Sequence, residues 1–502
     1  MSTDYLKFLS GTVIRGDEKL LTSDFCERLG YAFALWLGDK LGKESAMLTV
    51  SVGRDLRPSG KRIADAFIKG LTDADADVFD CGPATTPAMQ MSISMGDISC
   101  DGAVMVTASA KHGSINGFKL FTPEGSLTSK ETEKLLKLAA NTCLPRRLVK
   151  ELDIMGEYRE RLRNNVMEFM GNEVALPLLG LHVVVDCTCG TGRFFVEVLN
   201  SLGVDTDGSV NPNGLINDDA FSRNPESKDA LKELSEAVTE NGADLGVMFD
   251  ADGDRVAIVD GNGKAINRNR LIALISAILL DDEKNLTFVT DSVTSSGLTR
   301  FITEWGGTHY RYRRGYRNVI DEAKRLSADG INVPVAIETS GHAAMAENYF
   351  IDDGMYLAMK VVCEAMWRKR DGLTLSSLID ELQEPVESIE VRLPIIQDDY
   401  RKAAGYVIEA VLSKTVTNRQ WRLAPDNREG VRISFSLGEG IDNAWFMLRL
   451  SVHDPVMAVN AESDIPGGLK NILEQLYDVL AKDNEELDLT PLRAAIDQLK
   501  IN

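Results

Sequence analysis

Three stretches of the chain repeat one pattern of apolar and polar positions. They are "LTVSVGRDLRPSGKRIADAF" from Leu48, "HVVVDCTCGTGRFFVEVL" from His182 and "TFVTDSVTSSGLTRFI" from Thr287. Each starts with a run rich in β-branched residues, passes through a short Gly/Ser-rich turn, and continues with apolar residues at helical spacing. Strands alternating with helices in this way predict parallel βαβ units. The intervals between the three exceed the roughly 20–50 residues of a solenoid repeat, so the pattern predicts three similar α/β domains in tandem. From about Val386 the pattern changes. "VESIEVRLPI", "GVRISFSL" and "AWFMLRLSV" alternate as half-exposed antiparallel strands do, and the helical stretch "GGLKNILEQLYDVLAKDN" follows. That predicts a fourth, α+β domain. The expected domains are 1–150, 151–264, 265–387 and 388–502.

Composition narrows the class. A chain of 502 residues is too long for one ordinary core and suits three or four domains of roughly 100–200 residues. Hydrophobic residues make up 44% and charged residues 26%, the balance of a soluble globular protein. Fifty-five basic against 76 acidic residues give a net charge of −21, which argues against nucleic acid or an anionic membrane as the partner. It does not exclude a small anionic substrate, which a few local arginines can hold. The start, "MSTDYLKFLSG", has no basic segment followed by an apolar core, so no signal peptide is expected. The longest apolar run, "LIALISAILL" at 271–280, is too short to span a bilayer. Seven cysteines are scattered, and the pair Cys187 and Cys189 has neither redox nor zinc spacing. Reduced thiols in a cytoplasm are the expectation.

Four stretches carry candidate chemistry. In "VMVTASAKHGSINGFKL" at 104–120, an apolar strand stops at Thr107-Ala108-Ser109, and Asn116-Gly117 and Lys119 follow. The residue types alone leave open whether Ser109 does chemistry or caps a turn. In "DLGVMFDADGDRVAIVD" at 244–260, an apolar strand runs into Asp250, Asp252 and Asp254, with Arg255 next. In an extended segment these carboxylates fall on one side. Three such anions repel without a cation, and a hard divalent ion with oxygen ligands, Mg²⁺ above all, resolves that. An EF-hand loop does not fit, because Arg255 stands where its Gly belongs and Gly261 where its Glu belongs. A solvated acidic turn is the plain alternative. In "AIETSGHAAM" at 336–345, Glu338, Ser340 and His342 form a row able to hydrogen-bond sugar hydroxyls, or an ordinary polar turn. In "LRLSVHDP" at 448–455, Arg449, Ser451 and His453 share one side at a strand end. Arginine grips phosphate as a planar fork and Ser and His add donors, although a strand edge closed by Pro455 reads equally well.

In order, these motifs resemble the α-D-phosphohexomutase superfamily, particularly its phosphomannomutase/phosphoglucomutase branch, along essentially the whole chain. The family's active-site loop T-A-S-H-N-P…N-G-x-K is matched by Thr107-Ala108-Ser109, Asn116-Gly117 and Lys119. Its metal loop D-G-D-G-D-R is matched by residues 250–255, and its sugar loop G-E-x-S-G-H by Glu338-Thr339-Ser340-Gly341-His342. Its phosphate loop R-x-S-x-T-x-P is matched by residues 449–455, and its D-I-R-G by Val13-Ile14-Arg15-Gly16. "IDDGMY" at 351–356 is similar to its D-D-G-x-Y segment.

The resemblance implies four domains around a central cleft, with mixed sheets in the first three. It implies a phosphosugar mutase that interconverts hexose 1-phosphate and hexose 6-phosphate, of glucose or mannose, through a phosphoserine and a 1,6-bisphosphate. Phosphoryl transfer depends chiefly on positioning and charge neutralisation, so Ser109 needs no triad base. Ser109 is then the phosphate carrier and, with Asp250, Asp252 and Asp254, holds one Mg²⁺. Arg15 and Arg255 neutralise the transferring group, and Lys119 acts as base or acid. Glu338, Ser340, His342, Arg449, Ser451 and His453 bind substrate. Hexose 1,6-bisphosphate serves as activator, and a cytoplasmic monomer or homodimer without nucleic-acid or membrane partners is expected. There are departures. Ala110 replaces the family's His after the serine, with His112 two residues further on. A lysine of a D-V-K-like stretch is missing at Asp291-Ser292-Val293, which turns attention to Arg313, Arg314 and Arg317. Phosphoglucosamine or phosphopentose mutation, or a non-catalytic phosphosugar-binding relative, are the alternatives.

Overall fold

Val50, Val52, Val104, Val106, Phe118 and Leu120, each at most 3% exposed, project from neighbouring strands into one apolar core. The helices Ser23–Leu41 and Gly60–Asp73 complete it with Phe25, Leu29, Phe33, Ile63, Phe67 and Leu71. Thr22 caps the first helix by accepting a hydrogen bond from Phe25 N (3.2 Å). This is a computed structural model, and it describes every residue except 1–3, 95–98, 143–149, 172–173, 215–219, 221–222, 439, 452–453, 483–484 and 500–502.

The sheet on this core runs in the order Leu9–Ser10, Val13–Asp17, Ile115–Thr122, Gly102–Val106, Thr49–Arg54, Asp77–Pro83, Lys150–Glu151. Thr49–Arg54 is parallel to both its neighbours, whereas Ile115–Thr122 is antiparallel to Gly102–Val106 and to Val13–Asp17. The βαβ expectation therefore holds at the centre, and the sheet is mixed. A second sheet orders Ala265–Ile266, Val256–Asp260, Leu245–Phe249, Val183–Asp186. Its strand Leu245–Phe249 is buried at every position, parallel to Val183–Asp186 and antiparallel to Val256–Asp260.

These two sheets belong to one compact unit, Met1–Leu271 with Ser340–Ser377. The other unit comprises Ile272–Thr339 and Leu378–Asn502. In it, Thr287–Asp291 lies between the parallel strands Thr308–Tyr312 and Val335–Ile337. It also holds the five-stranded sheet of the tail, ordered Glu387–Pro394, Val456–Ser463, Ala444–Leu450, Val431–Phe435, Arg422–Leu423 and antiparallel throughout. One face of that sheet packs Val431, Ile433, Phe446, Leu448 and Val459 against Leu469, Ile472, Leu473 and Leu476 of the helix Gly468–Leu480. The intervening residues Arg432, Met447 and Arg449 project from the opposite face. Three tandem α/β domains and an α+β tail are thus what the patterning called for. Among the described residues no helix is long and apolar enough to cross a membrane. The six described cysteines are free and buried.

Candidate active site

Ser109 follows the buried strand Gly102–Val106 and is itself buried, with φ at +54°. Such a conformation is strained for a residue with a Cβ and persists only where surrounding contacts fix it. Its Oγ donates to Asp250 Oδ2 (3.0 Å) and accepts from Arg255 Nη2 (2.8 Å). The serine therefore faces the second sheet's acidic loop.

That loop leaves the buried strand Leu245–Phe249, but Asp250, Asp252 and Asp254 do not lie along an extended segment. The chain turns instead, with Gly253 at φ +73° and its N–H donating to Asp250 O (3.3 Å). The turn, not strand periodicity, brings the three carboxylates together, with ligand atoms all within 4.8 Å of one another. All three side chains are buried. Lys119 Nζ donates to Asp252 Oδ2 and Asp254 Oδ2, both at 2.6 Å, and Thr86 Oγ1 donates to Asp252 Oδ2 (2.6 Å). Arg255 Nε donates to Asp250 Oδ2 (2.8 Å). Asp252 Oδ1 and Asp254 Oδ1 are left buried with no hydrogen-bond partner. Burial raises the pKa of Asp250 to about 6 against the pull of Arg255, with Asp252 and Asp254 adding to the rise. Burial pushes Asp252 upward too, but Lys119, with Thr86 and Arg255, outweighs it and holds this carboxyl below its ordinary value. Hard oxygen donors, crowded negative charge and two orphaned carboxylate oxygens are what a divalent cation such as Mg²⁺ satisfies, so the residues fit that ion.

His342 sits beside this loop. Its Nδ1 is 2.8 Å from Asp352 Oδ2 and 3.8 Å from Asp254 Oδ2. Burial opposes its charge, but Asp352 and then Asp254 overcome it and raise the pKa to about 9. The neighbouring Asp353 caps the helix Gly354–Arg370 by accepting from Tyr356 N (2.8 Å) and also accepts from Tyr158 OH (2.6 Å). A Cβ on Gly354 would lie 2.8–3.0 Å from the Arg255 backbone, so the helix start packs directly on the acidic loop. Ser340 opens the same segment and is buried. Arg15 lies on Val13–Asp17, opposite Gly117 and one strand from Lys119.

The other unit holds Glu338, Arg449 and Ser451. Glu338 Oε1 accepts from Gly315 N (2.6 Å), and Glu429 Oε2 accepts from Arg314 N (3.1 Å) and from Ser292 Oγ (2.5 Å). These contacts pin the turn at 313–315. Arg449 is 5% exposed with Nε unpartnered, and burial, reinforced by the nearby charge of Arg314, lowers its pKa. Ser451 Oγ accepts from Arg392 Nη2 (3.2 Å). His453 lies outside the described residues. Of the arginines considered for the missing lysine, Arg313 donates to Arg428 O (3.2 Å) and Arg317 pairs with Asp321 (3.0 Å). Arg314 is the one whose charge is felt at Arg449.

Residues 10–143, 157–263 and 267–386 match, in order, the family descriptions phosphoglucomutase/phosphomannomutase alpha/beta/alpha domain I, domain II and domain III. The chain belongs to the phosphoglucomutase/phosphomannomutase family. It is an enzyme of the α-D-phosphohexomutase superfamily, in the isomerase class that moves a phosphoryl group within a sugar phosphate. A phosphoglucosamine mutase of Xanthobacter autotrophicus is 29% identical over 92% of this chain and 95% of its own length. A phosphomannomutase/phosphoglucomutase of Pseudomonas syringae pv. tomato is 27% identical over 91% and 92%. A solved phosphoglucomutase/phosphomannomutase family protein of Burkholderia thailandensis shares the fold at TM-score 0.78 and 22% identity, over 97% of this chain and 100% of that one. A more distant solved structure is Aspergillus fumigatus N-acetylphosphoglucosamine mutase in complex with GlcNAc-6P and magnesium (TM-score 0.57, 13% identity, 94% and 95% covered).

Sequence reasoning singled out none of three residues that contact these groups: Thr86 on Asp252, Asp352 on His342, and Arg57, which donates to the Ser109 carbonyl. Asp352 stands in the quoted "IDDGMY", where either aspartate is open to the role. Arg57 stands two residues after Asp55 with no local signal. Thr86 has none at all, because its partner Asp252 is 166 residues away.

Proposed function

We propose that this enzyme interconverts hexose 1-phosphate and hexose 6-phosphate, of glucose or mannose, through phosphorylated Ser109 and a hexose 1,6-bisphosphate. The observation that carries this reading is Ser109 Oγ held at 3.0 Å from Asp250 and 2.8 Å from Arg255, beside three buried aspartates. In the transfer, the bond between phosphorus and Ser109 Oγ breaks as one forms between phosphorus and the attacking sugar oxygen. The proton lost by that hydroxyl balances the one Ser109 takes up, and Lys119 Nζ is the carrier. Arg255, donating to Oγ, offsets charge on the leaving oxygen; Arg15 is assigned the same role at the phosphoryl group. Asp250, Asp252 and Asp254, with the phosphate on Ser109, would hold one Mg²⁺, which when bound supplies charge neutralisation for phosphoryl transfer. Glu338, Ser340 and His342 are assigned to the sugar. Arg449 and Ser451 are assigned to the phosphate that is not moving, with His453 beside them in the sequence motif.

A hexosamine phosphate is the second reading, favoured by the 29% identity to the Xanthobacter phosphoglucosamine mutase. One experiment tests both. The purified enzyme is incubated with hexose 1,6-bisphosphate and Mg²⁺, the phosphopeptide is mapped, and glucose, mannose and glucosamine 1-phosphates are then assayed. Phosphate on Ser109, lost in Ser109→Ala, with turnover of a hexose 1-phosphate supports the first reading. Turnover of the amino sugar alone gives the second. Full mutase activity in Ser109→Ala would remove the covalent mechanism.

A further inference from the structure

Ser109, with φ at +54°, has its backbone carbonyl bonded to a buried arginine. Arg57 is 1% exposed. Its guanidinium donates to four backbone carbonyls of the serine loop. Nη1 reaches His112 O (2.8 Å) and Ile115 O (2.9 Å), and Nη2 reaches Lys111 O (2.9 Å) and Ser109 O. Nε donates to Asp55 Oδ2 (2.9 Å) in an ion pair with both side chains fully buried. Asp55 Oδ2 also accepts from Thr107 Oγ1 (2.8 Å), and Thr107 Oγ1 accepts from Ser109 N (2.9 Å). The path is closed: Ser109 N to Thr107, Thr107 to Asp55, Asp55 to Arg57, and Arg57 back to Ser109 O.

We infer that Arg57, acting with Asp55 and Thr107, is the positioning residue that fixes Ser109 for phosphoryl transfer, by clamping both its N–H and its carbonyl. A planar fork with five donors can meet four carbonyls and a carboxylate at once, whereas a lysine has three donors on one atom. The fork replaces the stabilisation that a helix or sheet would give this loop. It fixes φ at a value the serine would otherwise leave, and with it the direction of Oγ towards Asp250 and Arg255. A displacement of about 1 Å at a reacting atom lowers rate by about 100-fold without touching the ground-state contacts of the substrate.

The inference rests on the proposed phosphoserine. The experiment compares full-length wild type, Arg57→Lys, Thr107→Val and Thr107→Ser. Phosphorylation of the protein by saturating hexose 1,6-bisphosphate is followed by rapid-quench intact mass, and the Kd for hexose 1-phosphate is measured separately. Arg57→Lys is expected to phosphorylate about 100-fold more slowly, with Kd within about twofold of wild type. Thr107→Val is expected to slow as well, and Thr107→Ser, which keeps the hydroxyl, to recover most of the wild-type rate. The Thr107 pair decides the matter if Arg57→Lys fails to fold. Wild-type rates in Arg57→Lys, or equal rates in Thr107→Val and Thr107→Ser, overturn the inference and leave the phosphoserine standing. A wild-type protein that takes up no phosphate overturns the phosphoserine reading, and this inference with it.

Discussion

At the residue scale the open question is which group moves the proton. Lys111, His112 and Lys119 follow Ser109; Lys119 fits the family pattern, His112 is the other candidate, and the structure separates the surroundings of these two. His112 is exposed, its Nδ1 lies 2.9 Å from Ser114 Oγ, and its carbonyl is held by Arg57. Lys119 is buried, 2.6 Å from two of the three clustered aspartates. Lys119→Met is therefore expected to lower kcat by about 100- to 10,000-fold, the range for loss of a general acid or base, with hexose 1-phosphate still bound. His112→Ala is expected to retain most activity. Steady-state kinetics of both across pH check this; a larger loss in His112→Ala, with a limb of the pH profile gone, reverses the assignment. That Lys119 and the three aspartates would be brought together could be expected from the sequence, because each sits in a recognisable motif. The place of Arg57 could not, because its partners are backbone carbonyls, which have no residue-type signature.

At the scale of elements, caps and strand order hold the site in place. The helix Ser129–Ala140 packs on the first core and starts with a full capping box between Thr128 and Glu131. Glu131 also pairs with Lys40 of the first long helix at 2.7 Å. Burial opposes ionisation of Glu131, but the hydrogen bonds from Lys40 and Thr128 outweigh it and lower its pKa from 4.5 to about 2. A carboxylate whose pKa is depressed by folding adds stability that is complete above the unfolded value and is lost as pH falls through the folded one. Glu131→Gln keeps the capping geometry but removes the charge paired with Lys40, and is thus expected to lose about 0.5–1 kcal/mol near neutrality. The gap from wild type should close as pH drops from 4.5 towards 2. Urea unfolding of both proteins at several pH values measures it, and a gap independent of pH removes the assignment. The sequence announced the alternation of strands and helices that builds these elements. The family resemblance implied mixed sheets, but periodicity did not say that Val13–Asp17 and Ile115–Thr122 are the antiparallel strands beside the parallel centre, because pairing partners are chosen by tertiary packing and not by periodicity.

For the whole molecule, Ser109, Lys119, the aspartates, Arg255 and His342 belong to one compact unit, and Glu338, Arg449 and Ser451 to the other. The proposed function gives the first unit the transfer chemistry and the second the anchoring of the phosphate that stays on the sugar. Arg449→Ala is then expected to raise KM for hexose 1-phosphate by about 10- to 100-fold, the loss of a charge-assisted hydrogen bond. Phosphorylation of Ser109 by saturating bisphosphate should fall much less, although binding energy remote from the reaction also orients it and some loss of kcat accompanies the change. Equal affinity of wild type and Arg449→Ala for the phosphosugar would remove Arg449 from substrate binding.

By itself the sequence determined the class of each domain, the order of the motifs and the family, because periodicity and residue type are local properties written along the chain. It also supplied three carboxylates whose charge calls for a cation. Tertiary structure decided how they converge. The carboxylates meet through a turn at Gly253, and not along an extended strand as their spacing suggested. Thr86, Lys119 and Ser109 reach them from 133 to 166 residues away in sequence. Tertiary structure also decided that Arg57 holds the serine loop and that Asp352, not Asp353, faces His342. The contacts of Arg57 with the serine loop, and of Thr86, Lys119 and Ser109 with the aspartates, join segments far apart in the chain, and no local pattern of residues specifies which distant group will be brought within hydrogen-bonding reach.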